Sequence, residues 1–182
     1  MEKGNGMIEN THFVPVAAAE GSGTLRGFGS ATLVVATIVA GLMAGLFAAF
    51  AYAVMPGLKR SGDAAFVEVM QNINVAIVNP LFMTLFMGGV AVGLAAVVTT
   101  WRTGDPAVRY LVIAGFVCYV LMFLITSGVS VPLNDQLAAA HPTDAADARA
   151  RFEAPWVTWN IARALVSTGS FGAFALALLR AR

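Results

Sequence analysis

The side chains best suited to chemistry in this 182-residue sequence are concentrated in one segment, WVTWNIAR. Four of them recur at positions i, i+3, i+4 and i+7: Trp156, Trp159, Asn160 and Arg163. This spacing predicts two indoles, an amide and a guanidinium on one face of a helix. Aromatic walls beside a few polar groups are typical of a small-molecule pocket, so this face is the first candidate site.

Further polar side chains lie at the ends of other apolar runs. They are Asn72, Asn74 and Asn79 at the start of the second run, and Asn134 and Asp135 after the third. Polar groups at membrane depth each need a partner, and all these clusters fall on one side of the membrane. We therefore expect one polar, aromatic-walled pocket at a mouth of the bundle. A shallowly buried guanidinium favours a carboxylate, which predicts an ion pair between Arg163 and Asp135.

The same residues also have a purely structural interpretation. Tryptophans near a helix end could be interfacial anchors, and asparagines could hydrogen-bond neighbouring helices together at about 0.6 kcal/mol each. Arg163 could extend along the helix to place its charge at the interface. The residues alone therefore leave two alternatives open, a ligand pocket or a polar collar that fixes the register of the helices.

The composition is that of a membrane protein. Hydrophobic residues make up 58% of the chain and charged residues 12%, against about 45–50% and 25% in soluble domains. The formal net charge of +1 gives no electrostatic footprint for nucleic acid. The single cysteine, Cys118, excludes an internal disulfide, and His12 and His141 both lie outside the apolar runs, which excludes a bis-histidine haem between helices.

Charged residues divide the chain into four apolar runs, each long enough to cross a bilayer. The predicted spans are about 29–56, 75–100, 110–133 and 156–179, within a single membrane domain of residues 27–182. Residues 1–26 are predicted to be a disordered polar tail. The predicted fold is an all-α, four-helix transmembrane bundle. A short amphipathic helix at 59–74, running on into the second span, and a longer connection at 134–155 face outward.

The topology and the glycine pattern give two further expectations. Six basic residues flank the spans on the side of the termini and four on the other side, which favours cytoplasmic termini of a multi-pass protein in membrane lipid. Small residues at every fourth position predict packing surfaces that could also support a homo-oligomer. These are Gly41, Gly45, Ala49 and Ala53 in the first span, and Gly89 and Gly93 in the second.

Four segments, in order between residues 41 and 171, resemble the anthrone oxygenase-like family of small four-helix membrane proteins. They are VMPGL, FVEVMQNINVAIVNP, VPLNDQLA and RFEAPWVTWNIARAL. The resemblance implies an oxygenase of aromatic polyketides, or a relative that has lost or changed that role. An anthrone has an acidic methylene, and its carbanion can react directly with dioxygen to give a hydroperoxide that loses water to form a quinone.

This chemistry implies roles for the candidate residues. Trp156 and Trp159 would wall a slot for a lipophilic aromatic, together with Asn72, Asn74 and Asn79. Arg163, Asn160 and Asn134 would hold the oxyanion, and Asp135 would be the base. Dioxygen is the expected co-substrate, and no cofactor is compulsory. A metal on Asp135, His141 and Glu153 is not excluded, although their spacing does not favour one.

A function from another class stays open at this point. The chain could be a non-catalytic membrane subunit or lipid-binding module, in which the polar residues only fix helix register. An enzyme should lose turnover when Arg163 or Asp135 is replaced and stay folded, whereas a collar should lose stability.

Overall fold

The computed structural model describes residues 16–103 and 105–181 of the chain. The described part contains four helical stretches long and apolar enough to cross a membrane: Gly29–Leu58, Pro80–Trp101, Pro106–Ala138 and Pro142–Arg180. The all-helical four-span bundle predicted from the sequence is thus confirmed. The cytoplasmic placement of the termini stays a prediction.

Seven α-helices, two π-helical segments and one 3₁₀ turn make up the described chain. Helix α1 (Val16–Ala49) continues through a π-helical segment (Phe50–Val54) into α2 (Met55–Leu58), and α3 (Asp63–Ile77) precedes α4 (Pro80–Thr103). Helix α5 (Pro106–Ile125) continues through a second π-helical segment (Thr126–Ser130) into α6 (Val131–Ala138). A 3₁₀ turn (Pro142–Asp144) leads into α7 (Ala145–Arg180). The end of the bundle opposite the chain termini is called the distal end below.

The start of the second span differs from the prediction, because α3 does not run on into α4. Pro80 disfavours helical backbone at the residue before it, and Asn79 instead caps α4. The Phe82 backbone N–H donates to Asn79 Oδ1 at 3.0 Å. The amphipathic helix is therefore a separate element lying at the distal end.

Two other boundaries also differ. Helix α1 begins at Val16, so the part of the predicted tail after that residue is helical, and residues 1–15 of that tail lie outside the described residues. The predicted 134–155 connection is mostly helical, because α6 extends to Ala138 and α7 begins at Ala145 and runs through Pro155. Asn134 and Asp135 therefore lie on a helix rather than in a loop.

Close helix packing in the bundle depends on small residues facing aromatic side chains. Tyr119 of α5 is buried and donates from its hydroxyl to the Leu85 carbonyl of α4 at 2.8 Å. A methyl group added at Gly89 would collide with the Tyr119 ring, and one added at Gly93 would lie 2.8 Å from Phe116. The predicted packing role of these two glycines is confirmed.

The small-residue stripe of the first span packs only in part. A methyl group at Gly41 would lie 3.1 Å from the Phe171 ring of α7, whereas nothing described lies within 4 Å of one at Gly45. The expectation of one continuous packing surface is therefore wrong, because Gly45 is exposed on α1. Helix α7 still contacts the first span beyond it through Phe47, whose carbonyl accepts from Asn160. Whether the open part supports a homo-oligomer stays a prediction.

A second apolar cluster closes the distal end under α3. Phe66, Val67 and Met70 of α3 are buried against Phe152 and Trp156 of α7. The cluster fixes α3 across the end of the bundle, where it forms a wall of the candidate site described below.

Arg149 of α7 holds the loop between α2 and α3 in place. Its guanidinium donates to Glu153 Oε2 at 2.7 Å, to Asp63 Oδ1 at 3.0 Å and to the Ser61 carbonyl at 2.8 Å. It also donates to the Lys59 carbonyl at 3.1 Å and lies 4.5 Å from the centroid of the Phe66 ring. All of these contacts are structural, so Arg149 anchors the distal loop to α7.

We predict that Gly89→Ala destabilises the bundle, whereas the neighbouring Gly88→Ala does not. The first methyl group must displace Tyr119, which costs about 1–3 kcal/mol, while the second meets no described atom within 4 Å. Thermal unfolding of both variants in the same detergent checks this, and equal midpoints would contradict the packing described here.

We also predict that Arg149→Met lowers the free energy of unfolding by about 2 kcal/mol, because several charge-assisted hydrogen bonds are lost together. Arg151→Met is the matched control, since Arg151 is exposed on the same helix. Limited proteolysis should cut the 59–63 loop faster in the Arg149 variant alone. Unchanged proteolysis would show that the loop is held by other contacts.

Candidate functional site

A small cavity of about 40 Å³ lies inside the distal end of the bundle and is called the chamber here. Its wall combines apolar and polar side chains from the first span, α3, α6 and α7. They are Phe47, Phe50, Ile73, Asn74, Ile77, Asn134, Trp156, Asn160 and Arg163. The polar members come from three separate helices, so the chamber exists only in the assembled bundle.

Arg163 is the charged residue of the chamber, and only 5% of its surface is exposed. Its Nη2 donates to Asn160 Oδ1 at 3.1 Å, and its Cζ lies 4.5 Å from the Phe47 ring centroid and 5.3 Å from that of Trp156. Its Nε is buried and has no hydrogen-bond partner among the described residues. Aromatic faces and one amide therefore surround this cation.

The predicted ion pair between Arg163 and Asp135 is wrong. Within residues 16–103 and 105–181, the ion pairs are those of Arg149 with Asp63 and with Glu153. Asp135 is exposed on α6 and does not line the chamber. Helix phase places it about 100° from Asn134, which does face the chamber.

Asn160 connects α7 to the first span and orients the guanidinium. It is fully buried, and its Nδ2 donates to the Phe47 carbonyl at 3.1 Å. The π-helical segment Phe50–Val54 begins three residues after Phe47. Such wider turns are frequent at functional sites because they change the direction of side chains and release backbone groups from the regular helical pattern.

Trp156 forms the aromatic wall together with Phe50. It is 5% exposed, its ring centroid lies 5.6 Å from that of Phe50, and its Nε1 donates to Asn134 Oδ1 at 2.9 Å. Asn74 of α3 completes the wall, and its Nδ2 is buried without a partner among the described residues. The chamber is therefore lined by aromatic side chains and by two polar residues, Asn74 and Arg163, that each keep a buried N–H without a partner among the described residues.

A larger and more open hollow adjoins the chamber and is called the groove here. It measures about 360 Å³ and is lined by Gln71, Asn74, Val75, Val78, Val131, Asn134, Asp135 and Ala138. Asn74 and Asn134 also line the chamber, so they form the wall that the two hollows share. Gln71 Nε2 donates to the Leu137 carbonyl at 2.8 Å, which ties α3 to α6 across one end of the groove.

The structure thus brings together five of the residues singled out in the sequence: Asn74, Asn134, Trp156, Asn160 and Arg163. Asp135 does not line the chamber with them, but it lines the adjoining groove, which shares Asn74 and Asn134 with the chamber. The expected placement of Trp159 in the wall is wrong, because it is 41% exposed on the outer face of α7. The buried stripe of α7 passes through Trp156, Asn160 and Arg163, and Trp159 lies about 100° from Asn160.

Two further asparagines also lie away from the chamber. Asn79 is exposed and is engaged as the cap of α4 described above. Asn72 is exposed on α3, about 200° around the helix from Asn74. Neither lines the chamber or the groove, so their predicted contact with substrate has no geometric support.

Sequence reasoning missed the apolar half of the chamber. Phe47 and Phe50 come from the first span, and Ile73 and Ile77 come from α3. The i, i+4 spacing of the two isoleucines on either side of Asn74 was an available signal. The π-helical segment after Phe47 left no recognisable pattern in the sequence.

The donor set of the chamber favours an anion. Arg163 Nε and Asn74 Nδ2 are N–H donors that remain free among the described residues, and aromatic walls lower the local dielectric. Such preorganised donors stabilise negative charge on an oxygen atom. Among the described residues, no group of three or more His, Cys, Asp or Glu side chains is placed to hold a metal, so Asp135, His141 and Glu153 do not assemble into one.

Comparison with known proteins identifies the family. The family model described as anthrone oxygenase matches residues 82–173, just over half of the chain. The matched range contains Asn134, Asp135, Trp156, Asn160 and Arg163, whereas Asn74 and Phe47 lie before it. No curated protein and no solved structure matches the chain. With the four-span helical architecture, the match confirms the resemblance seen in the sequence: the chain belongs to the anthrone oxygenase family.

Proposed function

We propose that this protein is a membrane oxygenase that oxidises a lipophilic, anthrone-like aromatic with dioxygen. The observation that carries the proposal is the buried Arg163, which lines the chamber and has no carboxylate partner among the described residues. A cation kept unpaired in an apolar setting is suited to stabilise negative charge that develops on a substrate.

The groove has the size and polarity for the substrate ring system. Its volume of about 360 Å³ lies in the usual range for small-molecule sites, about 300–1,000 Å³. Val75 and Val78 are 78% and 66% exposed in it, which offers apolar surface to a flat aromatic that arrives through the bilayer. The chamber is too small for the rings, so it would receive only the oxygen substituent that becomes charged.

Asp135 is the proposed base, because it is the carboxylate that lines the groove. It would take a proton from the acidic methylene of the anthrone, and the charge left on the substrate would spread to the carbonyl oxygen. Asn74 Nδ2 and Arg163 Nε could then stabilise that oxygen from the chamber side. Removing either the base or the cation should therefore slow the same step.

The carbanion would transfer an electron to dioxygen, and the resulting radical pair would combine to form a carbon–oxygen bond. Protonation would give a hydroperoxide. Loss of the remaining hydrogen on that carbon as a proton would form the quinone carbonyl while the O–O bond breaks, and the departing hydroxide would leave as water after taking up a proton. One dioxygen thus accepts the four electrons, one oxygen atom enters the product, and the other leaves as water. These reaction steps balance in atoms and electrons with dioxygen as the sole oxidant, so the proposed reaction includes no obligatory cofactor.

The structural alternative also has observations in its favour. Asn160 bonds to the Phe47 carbonyl, Trp156 to Asn134, and Gln71 to the Leu137 carbonyl, and each of these hydrogen bonds joins two helices. A non-catalytic membrane subunit would need such bonds. It would not need a buried arginine in the wall of a cavity with no carboxylate partner among the described residues, which is why the oxygenase is the favoured function.

Dioxygen uptake by the purified protein with a model anthrone tests the proposal. We predict that Asp135→Asn lowers kcat/KM by about 10²–10⁴, and that Arg163→Gln lowers it by about 10²–10³. Asp144→Asn and Arg151→Gln are matched controls at exposed positions and should keep the wild-type rate. Activity should also survive treatment with a chelator.

Thermal unfolding of the same variants distinguishes the two functions. Under the proposal, Asp135→Asn stays as stable as the wild type while its turnover falls. If several anthrones give no dioxygen uptake above the non-enzymatic rate, the oxygenase proposal fails. If Asp135→Asn and Asp144→Asn are equally active, Asp135 is not the base.

A further inference from the structure

We infer that the chamber binds a small inorganic anion, of the size and charge of a halide, when no substrate oxygen occupies it. The inference concerns the resting protein and rests on the proposed function only where the anion competes with substrate. Charge, hydrogen-bonding capacity and volume each support it independently.

The first argument is charge. Arg163 lies within a candidate membrane span, is 5% exposed, and forms no ion pair within the part of the chain that the structure describes. A desolvated cation is strongly unfavourable without a counter-charge. The faces of Phe47 and Trp156 compensate it only in part, because a cation–π contact is weaker than an ion pair in the same setting. A bound anion would complete the neutralisation.

The second argument is the imbalance between donors and acceptors. Arg163 Nε and Asn74 Nδ2 are both buried, both belong to residues of the chamber wall, and both lack a partner among the described residues. Two of the three amide oxygens of the wall are already engaged, since Asn160 Oδ1 accepts from Arg163 and Asn134 Oδ1 accepts from Trp156. Water needs acceptors as well as donors, whereas a halide needs only donors.

The third argument is size. A cavity of about 40 Å³ has room for a few particles the size of a water molecule. It accepts chloride or bromide and excludes an organic anion such as gluconate. The chamber therefore predicts selectivity by size, which a general salt effect on the protein surface would not produce.

Bromide quenching of Trp156 tests the inference directly. Trp101 and Trp159 are exposed, so the full chain carrying Trp101→Phe and Trp159→Phe leaves the chamber tryptophan as the single reporter. We expect bromide to quench it saturably, because the ion would sit beside the ring. Arg163→Gln should abolish saturable quenching, Asn74→Ala should weaken bromide binding about tenfold, and Arg151→Gln should leave it unchanged.

Thermal stability gives a second measurement that does not depend on fluorescence. At equal ionic strength, chloride at ten times its dissociation constant should raise the unfolding midpoint by about 3–5 °C relative to gluconate. If Arg163→Gln does not fold, Asn74→Ala carries the comparison. Linear quenching without saturation, or equal midpoints in chloride and gluconate, would overturn the inference and assign the chamber to water.

The outcomes are separable from those of the proposed function. Halide binding without dioxygen uptake would keep the anion site and reject the oxygenase. Dioxygen uptake without halide binding would support the oxygenase and reject the anion site. If both hold, chloride should raise KM for the anthrone and leave kcat unchanged, because the ion and the substrate oxygen would use the same donors.

Discussion

The distal end of this bundle is organised around one buried cation. A guanidinium at membrane depth must be compensated, and in this chain the compensation comes from aromatic faces and an amide rather than from a carboxylate. Phe47, Trp156 and Asn160 all contact Arg163. Trp156 and Asn160 lie on α7 itself, whereas Phe47 comes from the first span, which must be in register for the contact to exist. The position of the cation therefore constrains the packing of the first span against α7.

Arg149 and Arg163 of α7 show how differently the same side chain is used. Arg149 donates to two carboxylates and two backbone carbonyls, and these hydrogen bonds hold the loop between α2 and α3. Arg163 lies fourteen residues further along, about 21 Å at 1.5 Å per residue, and keeps one donor free. Arg149 holds the loop that leads into α3, which forms a wall of the chamber, and Arg163 gives the chamber its charge.

The four-span architecture and the part of the chamber formed by α7 could be predicted from the sequence. Periodicity within α7 places Trp156, Asn160 and Arg163 together because it depends only on helix geometry. The same reasoning could not predict the distance to Asp135, which depends on how α6 is rotated and on the π-helical segment before it. Asn79 was misassigned for a different reason, since its position before Pro80 makes it a helix cap whatever the tertiary fold.

The pocket and the collar are not formed by different residues: different atoms of the same side chains serve the two roles. The Nδ2 of Asn160 bridges to the Phe47 carbonyl while its Oδ1 orients Arg163, and the Nε1 of Trp156 is held by Asn134 while its ring faces the guanidinium. A collar alone would satisfy every buried group of the chamber wall, because unmet donors are costly in lipid. The described contacts instead use one end of Asn160 and of Trp156 for helix register and leave Arg163, which lines the chamber, with an unbonded Nε. The structural bonds therefore hold the guanidinium in place.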